Sequence, residues 1–296
     1  MVINLVCTGQ GHAETYYLEH WWKDKTNETQ HFGLTISEDR MRQAITQGRD
    51  LYGHDQLRNK IMDNAMIMAQ RISTPDAQVN VKTFGQSYEI SYIYRQGSEQ
   101  LAKELHQQLK DYIDGAYDEL RPITYYRYDK ELKELVINYE DIVLDYADVI
   151  SITHMFFQQR DPGKTQSQMI DDRLNFLQSI PYDSLVTSDF GMFPPIRMLA
   201  EKRGDCESKQ VYMAGLLKKM YPKRDVYLVL LPEKEHIVAA VEMPEAPNEL
   251  SYGKNGKRFL ILDATGPLYV DSADTVQLRQ EWNFDYGRQL WYPVHL

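Results

Sequence analysis

The stretch that decides the fold is GDCESKQVYMAGLLKKM, residues 204–220. Its apolar residues recur at helical spacing: Val211, Ala214, Leu217 and Met220. Gly204 and Asp205 supply a turn and a cap, which puts Cys206 in the first helical turn. Unpaired N–H groups at a helix start favour a thiolate and can donate to an oxyanion. Cys206 is therefore a candidate nucleophile, and the alternative is a small buried core residue.

Two further polar residues lie at the ends of apolar runs. Three strand-like runs follow the helix: VYLVLL (226–231), HIVAAVE (236–242) and FLILD (259–263). His236 is the first residue of the second run, and Asp263 is the last residue of the third. If these two strands are antiparallel neighbours, His236 and Asp263 meet at one sheet edge with Cβ atoms about 4.5–5.5 Å apart. The alternatives are an ordinary histidine at a turn and an aspartate that ends a strand.

Together these residues give a nucleophile, a base and an orienting acid in the order Cys206, His236, Asp263. A metal site made of the same three residues is disfavoured, because their spacing is far from compact zinc motifs and no fourth ligand is evident. We expect neither a metal nor a cofactor. Asp205 is expected to cap the helix rather than to take part in the chemistry.

At this point the sequence resembles a known family. The segments RGDCESK (203–209) and MAGLL (213–217) look like the nucleophile motif of bacterial transglutaminase-like proteins. The other segments that resemble the family are FLQSIPY (176–182), PIRML (195–199), LL (230–231), LD (262–263) and GP (266–267). The resemblance covers roughly residues 165–270. It implies a papain-like core, with the thiol helix packed on an antiparallel sheet, and acyl chemistry on amides or esters.

The resemblance narrows the expected reaction. It implies a cysteine protease or amidase that acts on a protein or peptide substrate through Cys206, His236 and Asp263. In related cysteine enzymes a polar side chain completes the oxyanion hole, which makes Gln178 a candidate; its alternative is a solvent-facing helix residue. The tryptophan that assists some true transglutaminases has no counterpart next to Cys206, which disfavours protein cross-linking. Cross-linking and a non-catalytic binding or scaffold protein that retains the fold remain the alternatives.

Composition limits the class of protein. The chain has 296 residues, 43% of them hydrophobic, which suits one large core or two ordinary ones. Its formal charge of -10 argues against nucleic acid or an anionic membrane as a partner, because clustered Lys and Arg make those contacts. No run approaches the ~18 consecutive apolar residues of a membrane-spanning helix, so no membrane insertion is expected. The sequence gives no indication of the oligomeric state.

The two cysteines, Cys7 and Cys206, are too few for a disulfide scaffold. One disulfide between them would require export and would consume the thiol of Cys206. Cys7 lies in an apolar run and is expected to be a small buried hydrophobe. Residues 1–7 have no basic segment and no long apolar stretch, so we expect no signal peptide there. A cytoplasmic location and export after removal of a signal both stay open.

The predicted fold class is α+β: a transglutaminase-like or papain-like core preceded by a mixed, strand-rich N-terminal domain. We place the N-terminal domain at 1–115, with no assigned role, and a helical segment plus the catalytic domain at 116–296. Within this outline the sequence makes four local predictions. They are a hairpin turning at Asp63-Asn64, paired strands at 79–83 and 87–94, a helix ended by Gly115, and an exposed loop over 243–258.

Overall fold

The computed structural model describes residues 4–5, 15–45, 54–84, 87–120, 125–129, 134–183, 192–244, 251–266, 270 and 287–296. The described chain is a mixture of helices and small antiparallel sheets, which confirms the α+β class. The expectation for Cys7 lies outside the described residues. None of the helices in these ranges combines the length and the apolar character needed to cross a membrane.

The helices and strands of the described residues are as follows. The helices are α1 (Glu38–Ile45), α2 (His54–Ile72), α3 (Glu99–Leu120), α4 (Tyr139–Asp145), α5 (Ala147–Gln158), α6 (Gln166–Gln178), α7 (Pro195–Glu201) and α8 (Cys206–Met220). The strands are β1 (Asn4–Leu5), β2 (Thr15–Lys23), β3 (Thr29–Ser37), β4 (Ala77–Phe84), β5 (Ser87–Tyr94), β6 (Tyr126–Asp129), β7 (Glu134–Ile137), β8 (Val226–Leu231), β9 (His236–Glu242), β10 (Ser251–Lys254), β11 (Lys257–Leu262) and β12 (Leu290–Pro293).

The chain divides into two compact units. Unit 1 comprises Met1–Gly48 and Tyr139–Leu296, and unit 2 comprises Arg49–Asn138. The sequence analysis placed one boundary between residues 115 and 116, whereas unit 1 combines both ends of the chain. The reason is packing: β2 and β3 contact α7 and α5 in the C-terminal half, whereas β6 contacts α3. Unit 2 is built from the β4–β5 and β6–β7 hairpins with α2 and α3.

The main sheet of unit 1 has the strand order β10-β11-β9-β8-β12, and all its neighbours are antiparallel. One cluster of buried side chains joins its three central strands: Val229, Leu231, Val238, Ala240, Phe259 and Ile261. Helix α8 packs on β9 and β8 and also contacts α5 and α6. Because α8 has neighbours on several sides, its residues from Ser208 to Leu217 are all buried. The predicted arrangement of a helix on an antiparallel sheet is confirmed.

The N-terminal hairpin β2–β3 supports the helix that precedes the candidate site. Trp22 and Phe32 are buried and contact Phe176 of α6 ring to ring, with centroids 5.1 and 5.6 Å apart. His20 of β2 is hydrogen-bonded through Nε2 to Ser179 Oγ at 2.7 Å. Burial, together with the nearby Lys202 and Lys209, lowers the pKa of His20 to about 4, so its imidazole is neutral at pH 7. The hairpin therefore holds the C-terminal end of α6 in place.

Three local predictions are wrong, and each has a local cause. The proposed hairpin at Asp63-Asn64 is part of helix α2, whose buried residues Ile61, Ala65 and Ala69 recur every four positions. Helix α3 continues through Gly115 to Leu120, since a glycine inside a helix costs only about 1 kcal/mol. The predicted loop over 243–258 contains the β10–β11 hairpin. The paired strands β4 and β5 are confirmed.

The missed hairpin turns at Asn255-Gly256, where both residues have positive φ, 51° and 76°. Asn-Gly is the sequence that favours such two-residue hairpin turns, because both central positions need left-handed backbone. The signal was therefore present in the sequence. The prolines and glycines elsewhere in the connection are typical of a loop, and they mask this signal.

Candidate functional site

The start of α8 is capped as the sequence predicts. Asp205 is the N-cap, and its Oδ1 accepts hydrogen bonds from the Ser208 backbone N at 2.8 Å and from Ser208 Oγ at 2.6 Å. Ser208 Oγ in turn accepts from the Phe193 backbone N at 2.8 Å. Cys206 is the first residue of the helix. A buried hydrogen-bond network therefore fixes the turn in which Cys206 lies.

Asp263 is the centre of the site. Its Oδ2 is 3.2 Å from Nε2 of His236. Its Oδ1 accepts from Gln210 Nε2 at 2.8 Å, from the Thr265 backbone N at 2.8 Å and from Thr265 Oγ1 at 2.6 Å. A carboxylate can only accept, so the proton of a neutral His236 imidazole lies on Nε2. Nδ1 of such an imidazole carries no proton and can accept one.

The register of the sheet brings His236 and Asp263 together diagonally. Strand β11 pairs with β9 as predicted, but β11 ends at Leu262, which is opposite Ala239. Continuing this register by one residue puts Asp263 opposite Val238, two residues from His236. The predicted direct opposition of the two residues is therefore wrong. The hydrogen bond forms nevertheless, because residues two apart along a strand share a face.

Cys206 lies within electrostatic reach of the Asp263 carboxylate that binds His236. Burial raises the pKa of the Cys206 thiol to about 12, and the charges of Glu207, Asp205 and Asp263 add to the effect. The hydrogen bond from the Glu207 backbone N–H lowers the pKa and only partly offsets them. Burial and the three carboxylates thus act against the thiolate that the helix start favours.

Gln178 lies beside Asp263, at the end of α6. Its Nε2 donates to the Asp263 backbone carbonyl at 3.0 Å. This contact ties the C-terminal end of α6 to the residue that binds His236. The role of Gln178 as an oxyanion donor stays a prediction.

No family model, curated protein or solved structure matches the chain. What is known of the site therefore comes from the geometry of its own residues.

Gln210 is a site residue that the sequence reasoning missed. It is fully buried, and it lies four residues after Cys206, on the same face of α8. Its amide joins the thiol helix to the Asp263 carboxylate. The available signal was a polar residue on the buried side of an amphipathic helix, since buried polar groups need partners.

Tyr182 is a second missed residue, and it forms a bridge with Gly204, two residues before Cys206. Burial, the charge of Cys206 and a hydrogen bond between the Tyr182 hydroxyl and the Cys206 side chain raise the pKa of Tyr182. The residue is nevertheless 53% exposed. Residues 182 and 206 are far apart in the sequence, and no pattern in it indicates that they are neighbours.

Glu207 lies next to the thiol along the chain, in an enclosed position. The hydroxyl of the buried Tyr139 donates to its Oε1 at 2.6 Å. Burial raises the pKa of Glu207 to about 7, against an ordinary value of 4.5, and the nearby Asp205 adds to the rise. The carboxyl therefore titrates near neutral pH, one residue from the candidate nucleophile.

A cleft in unit 1 lies away from the candidate site. It has a volume of about 490 Å³ and lies between the β2–β3 turn and helices α5 and α6. Lys25 and Asp171 form an ion pair at 2.6 Å in its wall. Cys206, His236 and Asp263 do not line it. Within the part of the chain that the structure describes, no group of three or more His, Cys, Asp and Glu side chains is arranged to hold a metal ion.

Gly204 gives a first test of this geometry. A Cβ on Gly204 would lie 2.8 Å from Met198 Sδ and 3.1 Å from Ser208 Cβ. We expect Gly204→Ala to lower the free energy of unfolding by about 1–3 kcal/mol, as overpacking does. Urea denaturation measures the change. Gly253→Ala is the matched control, since a Cβ there meets nothing within 4 Å. Equal effects at both positions would contradict the close packing around Gly204.

Proposed function

We propose that this protein is a cysteine acyl hydrolase or acyltransferase of the transglutaminase-like kind, with Cys206 as nucleophile, His236 as base and Asp263 as orienting acid. The favoured activity is that of a protease or amidase on a protein or peptide substrate. The observation that carries the proposal is the Asp263 carboxylate. One oxygen contacts His236, and the other contacts Gln210 on the helix that begins with Cys206.

The raised pKa of the thiol determines how the reaction would begin. A thiol with a pKa of about 12 is protonated at neutral pH, so it reacts only if its proton leaves during the attack. The sulfur of Cys206 forms a bond to the carbonyl carbon while its proton moves to Nδ1 of His236. The carbonyl π electrons become the oxyanion. The partial charge of the α8 N-terminus favours that anion.

The remaining steps return the enzyme to its starting state. The oxyanion collapses, the bond to the amine or alcohol breaks, and the leaving group takes the proton from His236. Water then gives a proton to His236 and attacks the thioester. Collapse of this second intermediate releases the acid and restores the thiol. An amine in place of water would give transfer instead of hydrolysis.

A non-catalytic scaffold is the second candidate function. The observation that favours it is the raised pKa of the Cys206 thiol, because an active cysteine is more often held as a thiolate. The hydrogen-bonded His236–Asp263 pair favours the enzyme, since a scaffold does not require an oriented imidazole.

Acylation by an activated ester separates the two candidates. With p-nitrophenyl acetate, the wild-type protein should release nitrophenolate and gain one acetyl group on Cys206, as read by mass spectrometry. Cys206→Ala should abolish the modification, and His236→Ala should slow it by about 10²–10⁴-fold. A wild-type rate equal to that of Cys206→Ala would establish the scaffold. Added monodansylcadaverine distinguishes the acceptors: conjugates indicate amine transfer, whereas acetate alone indicates hydrolysis.

A further inference from the structure

Lys209 is a buried cation three residues after the candidate nucleophile. Its side chain is fully buried, and its Nζ donates to the Ile180 carbonyl at 2.5 Å. Burial opposes the ammonium charge and lowers the pKa of Lys209 to about 8. A hydrogen bond to one neutral carbonyl only partly offsets the lost hydration of an ammonium group. The contact is therefore better explained by what it holds in place than by a gain in stability.

The carbonyl that this lysine binds belongs to the segment that leaves α6. The Gly204 backbone N donates to the Pro181 carbonyl at 3.1 Å, and the Asp183 backbone N donates to the Gly204 carbonyl at 3.1 Å. Segment 180–183 therefore runs beside the turn that precedes Cys206. The lysine holds this segment at its α6 end, from within the helix that carries the thiol.

The C-terminal end of α6 is also tied to the acid of the site. Gln178 is the last residue of α6, and its Nε2 donates to the Asp263 backbone carbonyl at 3.0 Å. The Asp263 carboxylate in turn lies 3.2 Å from Nε2 of His236. Lys209 thus joins the thiol helix to the end of α6, and the end of α6 is joined to the residue that binds the base.

We infer that Lys209 is a positioning residue of the proposed reaction. By holding the Ile180 carbonyl, it sets where the end of α6, and with it Asp263, lies relative to the Cys206 thiol. This inference rests on the proposed function. Lys209 exchanges no proton and forms no bond to the substrate. It complements Gln210, the next residue of α8, which binds the Asp263 carboxylate directly.

Lys209→Met removes the donor and keeps a side chain of similar length. We expect acylation of Cys206 by p-nitrophenyl acetate to slow by about 10–10²-fold, since small misplacements of catalytic groups cost up to about 10²-fold. The temperature of thermal unfolding should stay within about 4 °C of the wild-type value, because removing the buried charge offsets losing the hydrogen bond. This measurement checks that the fold is retained.

Lys218→Met is the matched control. Lys218 lies in the last turn of the same helix, and its Nζ also donates to a backbone carbonyl, that of Arg224, at 2.9 Å. The substitution therefore removes the same kind of contact at the opposite end of α8. The Lys218→Met protein should be acylated at a rate within about twofold of the wild-type rate.

The NMR signal of the His236 ring separates positioning from a general loss of structure. The proton on Nε2 of His236 is shared with the Asp263 carboxylate, so its chemical shift reports on the geometry of that pair. The signal is identified by its absence from the His236→Ala protein. Lys209→Met and Gln178→Leu should each move it upfield, because each removes a link between α8 and Asp263. Lys218→Met should leave it in place.

Slower acylation together with a moved His236 signal supports the inference. Acylation of Lys209→Met within about threefold of wild type would overturn it, as would slow acylation with an unmoved signal. If Lys209→Met does not fold, Gln178→Leu decides: a moved signal supports the link through α6, and an unmoved signal overturns it. If the wild-type protein is acylated no faster than Cys206→Ala, the proposed function fails, and the inference fails with it. Failure of the inference alone leaves wild-type acylation intact.

Discussion

Replacing Asp263 with asparagine is expected to slow the acylation of Cys206 by about 10⁴-fold, the loss seen when a triad carboxylate becomes an amide. Three donors from Gln210 and Thr265 converge on Oδ1 of Asp263. In the Asp263→Asn protein they would hold the new amide oxygen at that position, and the amide nitrogen would then face Nε2 of His236. The amide would donate to Nε2 and leave the imidazole proton on Nδ1. A protonated Nδ1 cannot accept the thiol proton.

Single-turnover acylation by p-nitrophenyl acetate at pH 7 measures this effect. Asp225→Asn is the matched control, because the Asp225 side chain is 44% exposed and its carboxylate contacts Lys257. The Asp225→Asn protein should be acylated at a rate within about twofold of the wild-type rate. Circular dichroism of the Asp263→Asn protein checks that the fold is retained. A rate above about one tenth of the wild-type rate would show that Asp263 does not set the tautomer of His236.

The parts of the site that are local in sequence were predictable. The cap at Asp205 and the helix that begins at Cys206 follow from turn and periodicity signals within a few residues. The antiparallel pairing of β9 with β11 also follows, because apolar runs bounded by turns define the strands. These signals were sufficient to bring His236 and Asp263 to the same edge of a sheet.

The parts that depend on long-range contacts were not predictable. Tyr182 pairs with Gly204, two residues before Cys206, and β2 joins unit 1 by packing on helices more than a hundred residues later. The hydrophobic periodicity of a sequence indicates local secondary structure and does not indicate such long-range contacts. The pKa of the Cys206 thiol was not predictable for the same reason. A helix start favours the thiolate and lowers this pKa, whereas the nearby carboxylates of Glu207 and Asp263 raise it. The effect of each charge on the thiol pKa depends on its distance from the sulfur, and a sequence does not give that distance.

Glu207→Gln is expected to stabilise the protein at pH 8 by about 3 kcal/mol and to have little effect at pH 4. The pKa of Glu207 is about 7 when folded and 4.5 ordinarily, so folding favours the protonated carboxyl. Its favourable contribution is fully present below pH 4.5 and is lost as the pH rises through 7. Glutamine mimics the protonated form at every pH and can still accept from the Tyr139 hydroxyl.

Urea denaturation at pH 4 and pH 8 measures the two free energies of unfolding. Glu233→Gln, at an exposed position, is the matched control and should show no such difference. The Glu207→Gln substitution also removes a charge that raises the pKa of the Cys206 thiol, so the pH profile of iodoacetamide alkylation should move to lower pH. A stability gain that is equal at both pH values would mean that Glu207 is ionised throughout. Loss of the alkylation shift would mean that its charge does not reach the sulfur, and the high thiol pKa would then come mainly from burial.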